Sequence, residues 1–67
     1  MLKSEDEVRK TLEDMRKKLN IGESTTIEVS EEVLEFTIDE AIRQKLSVVD
    51  AREEEDCVVV VIEKRYR

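Results

Sequence analysis

Few side chains in this sequence are suited to covalent or acid–base chemistry, and no motif brings them together. Cys57 is the only cysteine, Gly22 is the only glycine and histidine is absent. A nucleophilic thiol or hydroxyl needs a neighbouring base, and only carboxylates and lysines remain to act as one. A phosphate-binding loop needs several glycines. We therefore predict that the chain is not an enzyme and that it binds no cofactor and no small-molecule substrate.

Two groups of carboxylates raise the question of a cation site. Residues 53–56 are four consecutive acids, and Glu31, Glu32 and Glu35 lie close together in a predicted helix. Consecutive carboxylates in a tight turn point in different directions, and acids on a helix surface are usually solvated. A single thiol without histidine also excludes a cysteine–histidine zinc site within one chain. We expect no metal site.

The C-terminal tail is basic although the chain as a whole is acidic. The net charge of −6 argues against nucleic acid as a partner, because phosphates require a basic surface. Lys64, Arg65 and Arg67 surround Tyr66, and this cluster is either a small contact for an anion or RNA or a solvated terminus. We favour the solvated terminus, whose charge offsets that of the acidic helices.

Length and composition restrict the class of protein. A chain of 67 residues is expected to form a single domain, 1–67, whose small core gains from association where disulfides and metals are absent. No apolar run approaches the roughly 20 residues that span a bilayer, so we expect no membrane partner. The single thiol and the absence of a signal peptide predict a reducing, cytoplasmic setting. Charged residues make up 45% of the chain, which is typical of thermophile proteins rich in ion pairs.

The apolar run 57–62 is the element that must organise the fold. Its β-branched side chains favour a strand, in which successive side chains point to opposite faces. One face then carries Val58, Val60 and Ile62, and the other carries Cys57, Val59 and Val61. Because both faces are apolar, we predict a central strand.

The N-terminal third predicts a helix over about residues 4–19, after a frayed start at 1–3. Ser4 and Glu7 form a capping box, and Asn20 and Gly22 end the segment. One apolar stripe recurs at helical spacing: Val8, Leu12, Met15 and Leu19.

The segment 30–46 has two interpretations. A single helix would begin at Ser30 and bury one stripe, made of Leu34, Ile38, Ala41, Ile42 and Leu46. Alternatively, the alternation of Leu34, Phe36 and Ile38 indicates a strand, followed by a helix that begins at Thr37. We prefer the single helix, because its stripe fits the helical period over four turns.

Short strands at 26–29, 47–52 and 57–63 complete an α-β-α-β-β order, with a hairpin loop at 53–56. A right-handed crossover through the second helix leaves the last strand between the other two. The predicted fold class is α+β, with a three-stranded sheet and both helices on one face. The other face is left uncovered. We predict that its apolar residues, Val48, Cys57, Val59 and Val61, form the interface of a homodimer or of a contact with another protein.

The region 4–65 resembles the small sulfur-carrier proteins typified by TusA and SirA. The segment 8–15 is similar to their first helix, residues 20–29 to their glycine-containing turn into a strand, and residues 48–56 to the start of their closing hairpin. The resemblance implies a compact α/β fold. That family begins with a strand that leads into a Cys-Pro-x-Pro motif, whose thiol carries sulfur, and neither the strand nor any proline is present here. As an alternative function, the chain is a degenerate sulfur-carrier-like protein with a thiol role for Cys57.

Overall fold

The sheet is organised around the C-terminal apolar strand, as the sequence predicts. A computed structural model describes residues 1–66 of the chain. The elements in chain order are α1 (Glu5–Lys18), β1 (Ser24–Val29), a 3₁₀ turn (Glu31–Val33), α2 (Leu34–Arg43), β2 (Ser47–Glu53) and β3 (Val58–Glu63). The strand order is β1-β3-β2, and β3 is antiparallel to both neighbours. The α+β class, the three-stranded sheet and the central position of β3 are confirmed.

Both helices pack on one face of this sheet. Val58, Val60 and Ile62 of β3 are buried on that face, and they form one apolar cluster with residues of β1 and of both helices. Directly opposite residues of antiparallel strands share a face, so the pairing of Val29 with Val58 and of Ile27 with Val60 extends the buried surface across β1. No helix within residues 1–66 has the length and apolar content needed to cross a membrane.

Helix α1 begins and packs as predicted. The Glu7 backbone N–H donates to the Ser4 hydroxyl at 3.2 Å, and the Ser4 backbone N–H donates to the Glu7 carboxylate at 3.1 Å. Val8, Leu12 and Met15 are buried, and Leu19 packs against them at the end of the helix. The capping box therefore fixes the start of the helix, and its apolar stripe fixes the face that meets the sheet.

Segment 30–46 is helical over residues 31–43, so the strand interpretation is wrong, but a 3₁₀ turn at Glu31–Val33 precedes α2 and the Ser30 side chain does not cap it. The predicted stripe is correct for Ala41 and Leu46, which are buried, and wrong for Ile38 and Ile42. Ile42 is 66% exposed and Ile38 is 36% exposed. Thr37 and Glu40, which are outside the predicted stripe, are buried beside Ala41. Val33 provides the physical reason. It is buried in the core at the end of the 3₁₀ turn that leads into α2, and residues four and eight positions later must face the same way.

Two polar side chains are consequently buried beneath α2, and both have partners. The Thr37 hydroxyl donates to the Val33 carbonyl at 2.7 Å. The Glu40 carboxylate accepts from the Gln44 amide at 3.0 Å and lies 3.9 Å from the Arg43 guanidinium. Buried polar groups are normally hydrogen-bonded, and these partners meet that requirement. The polar side chains of α2 can therefore be buried without an unsatisfied hydroxyl or carboxylate.

The C-terminal end of α2 is closed without glycine. Lys45 has a φ of +60°. Its backbone N–H donates to the Ile42 carbonyl at 3.0 Å, and the Leu46 N–H donates to the Ala41 carbonyl at 2.8 Å. This is the hydrogen-bond pattern of a Schellman motif, in which glycine is the usual residue at the position of Lys45.

Two further features depart from the expected strands. The start of the chain is not frayed: the Leu2 backbone N–H donates to the Glu28 carbonyl at 2.8 Å, and the Ser30 N–H donates to the Leu2 carbonyl at 2.8 Å, which adds a parallel bridge at the edge of β1. Strand β2 contains a register shift between Val48 and Asp50, so that Val49 is the extra residue of a β-bulge.

Candidate protein-interaction surface

The side of the sheet that faces away from the helices is the surface for which an interface is predicted, and it is called the open sheet face below. In the register, Val59 lies opposite Glu28 of β1 and Arg52 of β2. Val61 lies opposite Thr26 and Asp50. Each valine is therefore the centre of a row of three side chains, with one polar neighbour on each side.

Exposure within these rows falls from the flanks to the centre. Thr26, Glu28, Asp50 and Arg52 are exposed, whereas Val59 and Val61 are half-buried. No helix or strand within residues 1–66 lies over the two valines, since both helices contribute to the core on the other side. The apolar part of the open sheet face is thus one strand wide, with a polar border.

The prediction that Val48 belongs to this surface is wrong. Val48 lies opposite Ile62, on the face that the helices cover, and it packs against the core. The bulge at Val49 is the cause, because one extra residue reverses the faces that simple alternation assigns to the two ends of β2. Val49 itself is 40% exposed.

Cys57 directly precedes β3 and is half-buried as a free thiol. Desolvation raises the pKa of the Cys57 thiol, and the negative charges of Glu28, Glu54 and Asp56 raise it further. A raised pKa keeps the group protonated at neutral pH, whereas a sulfur carrier requires a thiolate. The surroundings of Cys57 therefore favour a packing role for this side chain at the start of β3.

The charges that border the open sheet face are of both signs. Glu28 and Arg52 stand in the same row, on opposite sides of Val59. They are separated by the width of the central strand, so within one chain they do not meet as a contact pair. The row therefore contains an acid, an apolar residue and a base in that order. This order was not predicted from the sequence, because it depends on the register in which β1 and β2 pair with β3.

The acidic loop and the basic tail have separate surroundings. Within residues 1–66, no group of three or more acidic, cysteine or histidine side chains is placed to hold a metal ion. The Lys64 ammonium donates to the Arg16 carbonyl near the end of α1 at 2.6 Å, and the Arg65 guanidinium lies 3.6 Å from the Glu63 carboxylate. Arg67 lies outside the described residues.

Comparisons of the chain with family models, with curated proteins and with solved structures give no match. The resemblance to the sulfur-carrier proteins stays a prediction.

Proposed function

We propose that this protein is a non-enzymatic interaction module that forms a homodimer through its open sheet face. The observation that carries the proposal is the pair of half-buried valines, Val59 and Val61, at the centre of a face that no described element covers. Burying a large aliphatic side chain contributes about 1.5–3 kcal/mol relative to full exposure, and for these half-buried residues the gain is smaller. A second copy of the same surface is the simplest partner that supplies this cover.

The charged border is complementary to itself under one particular two-fold rotation. If the axis runs parallel to β3 between two facing sheets, β1 of one copy lies over β2 of the other. Glu28 of each copy then meets Arg52 of the other, and Thr26 of each copy meets Asp50 of the other. Opposite charges across an interface select the register and exclude other arrangements, so the row of acid, valine and base favours this pairing.

The narrow apolar strip sets the expected strength of the dimer. Stable interfaces usually bury a total of roughly 1,000–1,200 Å² or more. Most of the open sheet face is polar border, so the apolar area that a dimer can bury is small. We therefore expect a reversible dimer with a dissociation constant of about 10 μM or weaker. The free thiol of Cys57 is compatible with a reducing, cytoplasmic location, which we include in the proposal.

Sedimentation across concentrations from about 1 μM to about 1 mM tests the proposal, a span that brackets the expected dissociation constant. The wild-type chain is expected to shift from monomer to dimer, and Val59→Lys is expected to weaken the dimer at least about tenfold, because it buries an unpaired charge at the centre. Ile21→Lys is the matched control, since Ile21 is 53% exposed and lies in the turn before β1, outside the open sheet face. A wild-type chain that remains monomeric at the highest concentration refutes the proposal.

A charge exchange tests the proposed axis separately from the valines. Arg52→Glu and Glu28→Arg should each weaken the dimer, since each places like charges opposite one another. The double variant restores opposite charges in reversed order and should recover most of the wild-type affinity. Recovery supports the axis parallel to β3, and a double variant weaker than both single variants contradicts it.

A further inference from the structure

A second apolar surface lies on the helix side of the sheet, and it is called the α2 groove below. It is a cavity of about 480 Å³ between the C-terminal half of α2, the start of β2 and the tail that follows β3. Four aliphatic side chains, one phenol ring, two cations and a serine line it: Ile38, Ile42, Leu46, Val48, Tyr66, Lys45, Arg65 and Ser47. Its volume is in the range of roughly 300–1,000 Å³ that ligand sites occupy.

Two large side chains that line the α2 groove are mostly exposed. Ile42 and Tyr66 are 66% and 58% exposed. Ile38 and Ile42 are four positions apart, so they stand one above the other on the same side of α2. This apolar pair faces outward because Thr37 and Glu40 occupy the buried side of the helix. An apolar patch with a polar rim is typical of a protein-binding site.

The rim of the α2 groove is positively charged on an acidic protein. Lys45 and Arg65 line the groove, and none of the lining residues in the described part of the chain is acidic. Arg65 lies 3.6 Å from Glu63, so part of its charge is already compensated. Within residues 1–66, Lys45 forms no ion pair. Although the chain carries a net charge of −6, this local excess of cations attracts an anionic group, and the anion that an unmodified peptide supplies is a carboxylate.

The backbone at Lys45 supplies an independent argument. Its φ of +60° is a conformation that glycine adopts without penalty and that a side chain makes unfavourable. A strained residue is a reason to look for a role of its side chain. Here the strained residue contributes a cation that forms no ion pair within residues 1–66.

We infer that the α2 groove binds a short peptide segment of a partner protein, in which large apolar side chains stand next to a carboxylate. The apolar side chains would contact Ile38 and Ile42, and the carboxylate would lie beside Lys45 and Arg65. The groove is open to solvent along one side, so it covers one side of a bound chain. A peptide with one apolar and one polar side suits that shape, whereas a fatty acid would leave half of its hydrocarbon chain in water.

The inference goes beyond self-association, because the α2 groove and the open sheet face share no residue. The test is a selection from a random peptide display library on the wild-type protein, with the Ile42→Glu variant as the counter-target. Affinities of the selected peptides are then measured by fluorescence anisotropy. The selected peptides are expected to share an Asp or Glu beside large apolar residues, and Ile42→Glu should weaken their binding at least about tenfold.

Variants at Lys45 separate a binding role from a structural one. Lys45→Gly and Lys45→Gln should each weaken peptide binding about threefold, whereas Lys45→Arg should keep it, because charge at a solvated rim has a modest effect. Ile21→Glu, which adds a carboxylate at an exposed site outside the groove, is the matched control for Ile42→Glu. Val59→Lys should leave peptide binding unchanged, so failure of the dimer and failure of the groove are distinguishable.

Three outcomes overturn the inference. The first is that no peptide is enriched on the wild type over Ile42→Glu. The second is that the selected peptides lack a carboxylate, or bind Ile42→Glu equally well. The third is that decanoate binds at Ile42 while no peptide does, which would assign the groove to free amphiphilic acids.

Discussion

Helices α1 and α2 have similar amphipathic patterns, yet they use those patterns in opposite ways. Helix α1 buries its aliphatic stripe, and Leu12 is completely inaccessible. Helix α2 exposes Ile38 and Ile42 and buries Thr37 and Glu40. The rotation of α2 is fixed by the buried residue that precedes it, Val33. A helix can therefore anchor the fold through a partly polar buried side and leave an apolar side exposed for a partner.

The largest expected difference between the helices is in the cost of removing an apolar side chain. Leu12→Ala should lower the free energy of unfolding by about 3 kcal/mol, because it leaves a cavity in the core. Ile42→Ala should change it by less than about 0.5 kcal/mol, because the side chain is mostly in water. Urea unfolding of both variants measures these values. A similar cost at both positions would mean that α2 faces the core with its isoleucines.

Charge reversal on α2 tests the same rotation from its polar side. Glu40→Lys should lower the free energy of unfolding by about 2–3 kcal/mol, because it places a cation in the core beside Arg43. Asp39→Lys is the matched control, since Asp39 is the exposed neighbour of Glu40. Its effect should stay within about 0.5 kcal/mol. Equal effects of the two reversals would contradict the burial of Glu40.

The end of α2 predicts an intermediate effect of opposite sign. Lys45→Gly should raise the free energy of unfolding by about 0.5–1 kcal/mol, because glycine adopts the left-handed conformation without the penalty that a side chain incurs. This gain is partly offset by the greater conformational entropy of glycine in the unfolded chain. Gly22→Ala is the converse change, since Gly22 has a φ of +92° and an added Cβ would meet no atom within 4 Å. It should therefore lose stability through backbone strain alone. Thermal unfolding of both variants measures this, and a Lys45→Gly variant less stable than the wild type would show that the lysine side chain supports the fold.

The smallest effect concerns the start of α1 and its dependence on pH. Hydrogen bonds from the Lys3 and Ser4 backbone N–H groups hold the pKa of the Glu7 carboxyl below its ordinary value of 4.5. A lowered folded-state pKa stabilises the protein above the ordinary value, and this contribution is lost as the pH falls through the folded-state pKa. Glu7→Gln should therefore be less stable than the wild type at neutral pH, and the difference should shrink in acid. Urea unfolding of both proteins at pH 7 and at about pH 3 measures it; a difference that is constant with pH contradicts the role of the carboxylate.

The sequence was sufficient for the features that depend on local patterns. The capping box at Ser4, the apolar stripe of α1 and the two-sided run of β3 each satisfy one physical requirement in a single segment, and they led to the correct strand order. The rotation of α2 was not predictable in this way, because its two sides both have helical spacing. The choice between them follows from burial of Val33, a contact between distant parts of the chain.

The candidate surfaces were predictable only in part, for related reasons. Val59 and Val61 follow from strand alternation, and both lie on the open sheet face. Val48 does not, because the bulge at Val49 has no glycine or other local signal in the sequence. The closure of α2 at Lys45 was missed because the segment lacks the glycine that usually marks such an end. The α2 groove, which depends on both features, was therefore missed as well.

Isotope-filtered NMR on a mixture of labelled and unlabelled protein at about 1 mM tests self-association most directly, since this concentration lies well above the expected dissociation constant. Nuclear Overhauser effects between copies should connect the methyl groups of Val59 and Val61 to those of a second chain, and Ile38 and Ile42 should show none. Contacts between copies through Ile38 and Ile42 alone, or the absence of any contact between copies, would contradict a dimer built on the open sheet face.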